Sequence, residues 1–175
     1  MKIIETSIPD LLIIEPTVYF DNRGFFYESY NETKFLNIIG NNIQFVQDNQ
    51  SCSKKGVLRG LHYQLAPHEQ GKLVRCVSGK IYDVAVDIRK NSATYGKWFS
   101  IELTPENKLQ LWIPAGFAHG FLSLEDNSEI LYKTTSFYNA ESEASIIWND
   151  PTLDIKWPIL NPILSEKDRV APFLQ

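Results

Sequence analysis

The chain has 175 residues, 43% of them hydrophobic and 22% charged, with a formal net charge of −4. That length suits one domain with a sizeable core, and that balance excludes a disordered chain. The negative net charge argues against non-specific nucleic-acid binding and leaves only local basic clusters for a few phosphates.

Met1–Thr6 lacks the charged, apolar and small-residue succession of a signal peptide. No apolar run approaches the roughly 18–20 residues of a membrane span. Cys52 and Cys76 are the only cysteines and stand in no CxxC or zinc-type spacing. A reduced, cytoplasmic protein with neither membrane nor nucleic-acid partner is expected. The first strands are predicted at Leu12–Thr17 and Gly24–Ser29. A helix follows from Asn31 to about Ile39, where Asn31 can cap, Phe35, Leu36, Ile38 and Ile39 supply apolar contacts, and Gly40 ends it.

Further strands are predicted at Phe45–Gln50, Val57–Gln64, Lys72–Ser78, Lys80–Arg89, Trp98–Leu103, Lys108–Ile113, His119–Ser123, Glu129–Thr135 and Ser145–Trp148. Thr104–Asn107 and Asn139–Ser142 read as single turns. In Lys80–Arg89 the core face is expected to carry Tyr82, Val84, Val86 and Ile88. The other face, with Ile81, Asp83, Ala85 and Asp87, would meet solvent or line a cavity. The proline-broken tail Trp157–Arg169 should be irregular, yet it is apolar enough to pack across the body. With no repeats or linkers, residues 1–175 read as one all-β domain, a sandwich or barrel.

The chemistry concentrates in Val57-Leu58-Arg59-Gly60-Leu61-His62-Tyr63-Gln64 and Gln70-Gly71-Lys72-Leu73-Val74-Arg75. These adjacent apolar runs carry Arg59, Lys72 and His62, one of only three histidines. A second passage, Ile113-Pro114-Ala115-Gly116-Phe117-Ala118-His119-Gly120-Phe121, resembles the Pro-x-Gly-x-x-His pattern of cupin barrels. Metal-binding cupins add a His-x-His pair, but here Tyr63 and Gln64 follow His62. His62 and His119 therefore stand as pocket histidines short of a metal cage, and no metal is expected. His68, in a Pro-His-Glu loop, reads as solvated. Histidine is a general base near neutral pH, Lys72 is a cation for a developing oxyanion, and Tyr132 has a phenolic proton. Base, clamp and acid are what proton abstraction beside a carbonyl requires. Taken singly, Tyr132 reads as core or rim, and Lys72 as a solvated lysine.

Over nearly its full length the chain resembles the RmlC family, the dTDP-4-dehydrorhamnose 3,5-epimerases. The resemblance rests on Phe20–Phe26, Phe45–Asn49, Gly56–Gln64, Gln70–Arg75, Ile113–Phe121, Trp148–Pro151 and Leu164–Asp168, in that order. It implies a cupin-type double-stranded β-helix (jelly roll) with short peripheral helices, a homodimer, a dTDP-sugar substrate, and no metal or organic cofactor. It assigns His62 as the base at C3 and then C5, with Asp168 holding its imidazole. Lys72 would neutralise the enolate oxygen at C4, and Tyr132 would reprotonate from the opposite face. Arg23 and Arg59 would meet the diphosphate, although Arg23 also suits a pairing with Asp21. Glu28, Gln47, Asp48, Asn49, His119, Glu143 and Lys167 match substrate-contacting positions. Phe20, Phe26 and Tyr138 are candidates for stacking on the base or for ordinary packing.

Two points stay open. Arg59 and His62 lie three apart, so a regular strand would turn them to opposite faces. A bulge at Gly60 would bring both inward; otherwise Arg59 points to a neighbouring subunit or another part of the ligand. Asp83 rivals Asp168 as the carboxylate beside His62, or it accompanies His119. The expected reaction inverts C3 and C5 of dTDP-4-dehydro-6-deoxy-D-glucose, giving a precursor of cell-surface sugars. The alternatives are a mono-epimerase using the same residues, and a non-catalytic cupin that binds a sugar nucleotide or a metal. Leu11–Ile14 is an apolar run suited to a subunit interface.

Overall fold

In a computed structural model, which describes residues 1–40 and 43–174, short alternating runs form thirteen strands. They are β1 (Lys2–Glu5), β2 (Leu12–Glu15), β3 (Tyr19–Asp21), β4 (Gly24–Phe26), β5 (Gln47–Ser53), β6 (Leu58–Gln64) and β7 (Lys72–Ser78). There follow β8 (Ile81–Asp87), β9 (Trp98–Leu103), β10 (Gln110–Ile113), β11 (Phe117–Ser123), β12 (Ser128–Thr134) and β13 (Glu143–Ser145). Two helices, α1 (Glu32–Ile39) and α2 (Glu166–Arg169), lie outside the strands.

The strands form two large antiparallel sheets in a cupin-type jelly roll, as expected. One runs β1-β2-β10-β7-β12-β5 and the other β13-β6-β11-β8-β9, while β3 and β4 make a separate hairpin. Val74, Cys76, Ile81, Ala85, Leu111, Phe117, Phe121 and Ile130 fill the space between the sheets. Because side chains alternate across a strand, Lys72 shares this inward face with Val74 and Cys76, and Tyr132 shares it with Ile130. The outer face of the first sheet is covered by α1, whose Phe35 meets Trp112 edge-to-face at 5.3 Å. Asn31 caps that helix by accepting from the Lys34 amide, as predicted.

Several expectations need correction. β1 and the hairpin strand β3 were not anticipated, and β5 begins and ends later than Phe45–Gln50. The last strand is Glu143–Ser145, upstream of the expected Ser145–Trp148. In β8 the inter-sheet core takes Ile81 and Ala85, the face expected to be mixed, and Asp83 and Asp87 on it are fully buried. Val84 and Val86 are buried too, because Leu153 and Ile155 of the C-terminal segment cover them from outside. That segment packs across the body as expected, with Ile163 bridging Val57. It is not wholly irregular, because Ser165 caps α2 by accepting from the Asp168 amide.

Asp150 pins the segment. One carboxylate oxygen accepts from the Thr152 and Leu153 amides, and the other accepts from Leu174 at 2.7 Å.

Candidate active site

One cavity of about 430 Å³ between the sheets is lined by Arg59, His62, Lys72, His119, Tyr132, Lys167 and Asp168. An adjoining one of about 180 Å³ shares His62, Lys72 and Tyr132 and adds Gln47, Asn49, Tyr138 and Glu143. The convergence of Arg59 and His62 comes from a bulge. His62 pairs with His119 and Arg59 with Phe121, so Gly60 and Leu61 stand opposite Gly120 alone. Gly60 has φ +118°, and a Cβ there would lie 2.6 Å from the Gly120 Cα. Glycine is the residue that fits both constraints.

Nε2 of His62 lies 2.5 Å from Oδ1 of Asp168, and Ser165 donates to the other carboxylate oxygen at 2.9 Å. Asp168, not Asp83, is therefore the carboxylate beside His62. Burial alone would raise the Asp168 carboxyl, but the His62 ring, Ser165 and the Gly60 amide outweigh it and hold it below the usual range. A carboxylate only accepts, so Nε2 of a neutral His62 carries the proton and Nδ1 keeps a lone pair for the cavity. Asp83 is instead the partner of His119, whose Nε2 lies 2.7 Å from its Oδ1.

Lys72 is 7% exposed, and its ammonium donates to the His62 carbonyl at 3.4 Å. Burial pulls its pKa down to about 8, against the opposing pull of Asp83 and Glu143. Burial likewise raises the Tyr132 phenol, with Arg59 pulling it back. Arg59 is held by Ser53 Oγ at 3.1 Å from Nε and by the Cys52 carbonyl at 3.2 Å from Nη2. Those bonds leave Nη1 free for an anion. Glu143 pairs with Lys167 and accepts from the Tyr138 hydroxyl at 3.0 Å.

Three expected residues are not brought to either cavity within the single chain. Arg23 lies on the β3–β4 hairpin, 2.6 Å from Asp21, the pairing foreseen as its alternative. Glu28 pairs with Lys34 beside α1, and exposed Asp48 pairs with Lys133 at 2.9 Å. Phe20 and Phe26 stand exposed on the same hairpin as Arg23. Two residues went unforeseen. Ser165 was legible in its Ser-x-x-Asp spacing to Asp168, a capping pattern. Ser51, whose hydroxyl lacks a partner at the cavity wall, has no signal in the sequence. Among the described residues no three His, Cys, Asp or Glu side chains are grouped to hold a metal ion.

A family model described as dTDP-4-dehydrorhamnose 3,5-epimerase matches residues 5–175. A relative from Shigella flexneri of that name is 58% identical over 168 residues, covering 96% of this chain and 93% of its own. The crystal structure of the dTDP-6-deoxy-D-glucose-3,5-epimerase RmlC from Legionella pneumophila, in complex with dTDP-4-keto-L-rhamnose, superposes with a TM-score of 0.95 at 51% identity. That match covers 99% of this chain and 92% of the other. A 3'-monoepimerase from Streptomyces bikiniensis, in complex with dTDP-quinovose, superposes with a TM-score of 0.91 at 35% identity, covering 97% and 86%. A fold shared over nearly the full length, at identities above half, leaves one conclusion: the chain belongs to the dTDP-4-dehydrorhamnose 3,5-epimerase family.

Proposed function

We propose that this enzyme inverts C3 and C5 of dTDP-4-dehydro-6-deoxy-D-glucose with His62 as base, Tyr132 as acid and Lys72 as oxyanion clamp. The observation that carries the assignment is their placement on opposite walls. His62 stands on the β13-β6-β11-β8-β9 sheet, whereas Tyr132 and Lys72 stand on the facing one. A proton taken by Nδ1 of His62 from one face of the sugar and replaced from Tyr132 on the other inverts the carbon. Both C3 and C5 flank the C4 carbonyl, so one base and one cation at O4 serve both inversions. Each step removes one proton and returns one, without net redox change. Asp168 keeps Nε2 protonated and steadies the imidazolium that forms.

Arg59 supplies Nη1 as a charged donor for the diphosphate, and Gln47, Asn49, His119, Glu143 and Lys167 line the space for sugar and nucleotide. The double inversion is favoured over the mono-epimerase reading by identity, 58% and 51% against 35%. A homodimer accounts for Arg23 and Glu28. Phe20 and Phe26, on the hairpin with Arg23, are 73% and 67% exposed, an apolar surface that calls for a partner. A second copy seated on that hairpin would receive Arg23 and Glu28 at its own cavity. The reaction would take place in the cytoplasm and supply a cell-surface polysaccharide precursor. Among the described residues no helix is long and apolar enough to cross a membrane.

The test is incubation with dTDP-4-dehydro-6-deoxy-D-glucose in D2O, followed by NMR. The wild type should load deuterium at C3 and C5, and His62→Asn should lose about 10²–10⁴-fold in exchange at both. Exchange at the wild-type rate in the variant would remove His62 as the base.

A further inference from the structure

We propose that Asp83 is a positioning residue for the reaction, fixing the tautomer of His119 and acting as the internal counter-charge of the Lys72 ammonium. Asp83 lies on β8, fully buried behind the cavity wall. Its Oδ1 accepts from His119, while its Oδ2 has neither solvent nor any partner. A half-satisfied carboxylate in a protein interior is costly, and an apolar residue in its place is often as stable or more so. Packing alone gives no reason to keep it.

Two neighbours give a reason. His119 is 7% exposed and lines the cavity. With Nε2–H donating to Asp83, the neutral ring offers Nδ1 to the cavity as an acceptor, the right polarity for a sugar hydroxyl. Lys72 enters from the facing sheet with a single long hydrogen bond and, among the described residues, no ion pair. The charged or titrating groups around it are Arg59 and His62 from β6, Asp83 from β8, His119 from β11, Tyr132 from β12 and Glu143 from β13. Lys167 and Asp168 of α2 complete the set. Asp168 is committed to His62, and Glu143 to Lys167 and Tyr138. Asp83 alone among these carboxylates keeps an unpartnered oxygen, and it is the stronger of the two that oppose the loss of charge from Lys72.

The test is Asp83→Asn, which keeps the shape and removes the charge. It rests on the role given above to Lys72. The basic limb of the kcat/KM profile should move about one pH unit lower, as loss of a nearby buried charge requires. Relative to the wild type, activity would then fall roughly sixfold further between about pH 6.5 and about pH 8.5. A folded, active variant whose basic limb coincides with the wild type overturns the counter-charge, while leaving the clamp role of Lys72 intact. A wild type with no basic limb removes that role itself. The second measurement needs no variant: ¹⁵N NMR of the wild-type imidazoles should show His119 protonated on Nε2. An Nδ1-protonated ring would overturn the proposal even if Asp83→Asn failed to fold.

Discussion

Replacing Lys72 with methionine should make the protein more stable and nearly inactive. In the folded chain burial brings the ammonium from its ordinary 10.5 to about 8. That gap, at about 1.4 kcal/mol per unit, corresponds to an order of 3 kcal/mol by which the fold disfavours the charged form. Methionine has a similar volume and no charge, so Lys72→Met should recover up to ~3 kcal/mol near pH 7, or roughly 6–12 °C in Tm. The gain carries a sign in pH. Below about 8 the folded and unfolded wild type both hold the proton, and the cost is full. Between about 8 and 10.5 the unfolded chain binds more protons than the folded one, so wild-type stability rises with pH and the advantage of the variant shrinks. Urea unfolding at pH 7 and pH 10 reads the two gaps, and deuterium uptake by substrate reads the loss of the clamp, expected at about 10²–10³-fold. A variant less stable than the wild type at pH 7, or a stability gap that persists unchanged at pH 10, would refute the reasoning.

Gly60→Ala should cost at least ~3 kcal/mol, because its Cβ would meet Gly120 Cα and the His119 carbonyl, each at 2.6 Å, at a φ of +118°. A thermal melt should fall by roughly 6 °C or more, and an unchanged melt would show that the bulge tolerates a side chain. The hairpin is checked by sedimentation. The wild type should run at twice the chain mass, and Phe20→Ser with Phe26→Ser should shift it toward the monomer. A monomeric wild type would end the shared-site account of Arg23 and Glu28.

How far the sequence can be read depends on what each strand faces. β7 and β9 have the bounds their alternating patterns predict, because one face of each meets the core. β5 was misplaced because Gln47-Asp48-Asn49-Gln50-Ser51-Cys52-Ser53 is polar on both faces, so no apolar period marks its ends. In β8 both faces are covered, and the two aspartates made the inter-sheet face look like the more polar one, so pattern alone misjudged which face meets the facing sheet and which the tail. The bulge at Gly60 was one of the readings the sequence left open, and only the register between His119 and Phe121 decided for it. Residue chemistry also pointed to His62, Lys72 and Tyr132 as base, clamp and acid. Asp168 had no such signal: 106 residues separate it from His62, and only the family resemblance joined them. Arg23 and Glu28 were named by the resemblance alone, and within the single chain they pair with Asp21 and Lys34 instead of reaching either cavity.

The distance in sequence between His62 and Asp168 also sets an order of events on the ribosome. Every strand of both sheets is complete by Ser145, yet Asp168, the carboxylate beside His62, emerges more than twenty residues later. The strands can thus pair before the proposed proton-transfer machinery is assembled. Chemistry waits for the tail to cross back, dock Ile163 beside Val57 and bring Asp168 to His62. On the proposed mechanism, a nascent chain stays silent until the segment carrying Asp168 has emerged and docked, so activity would report on that docking as well as on the folding of the sheets.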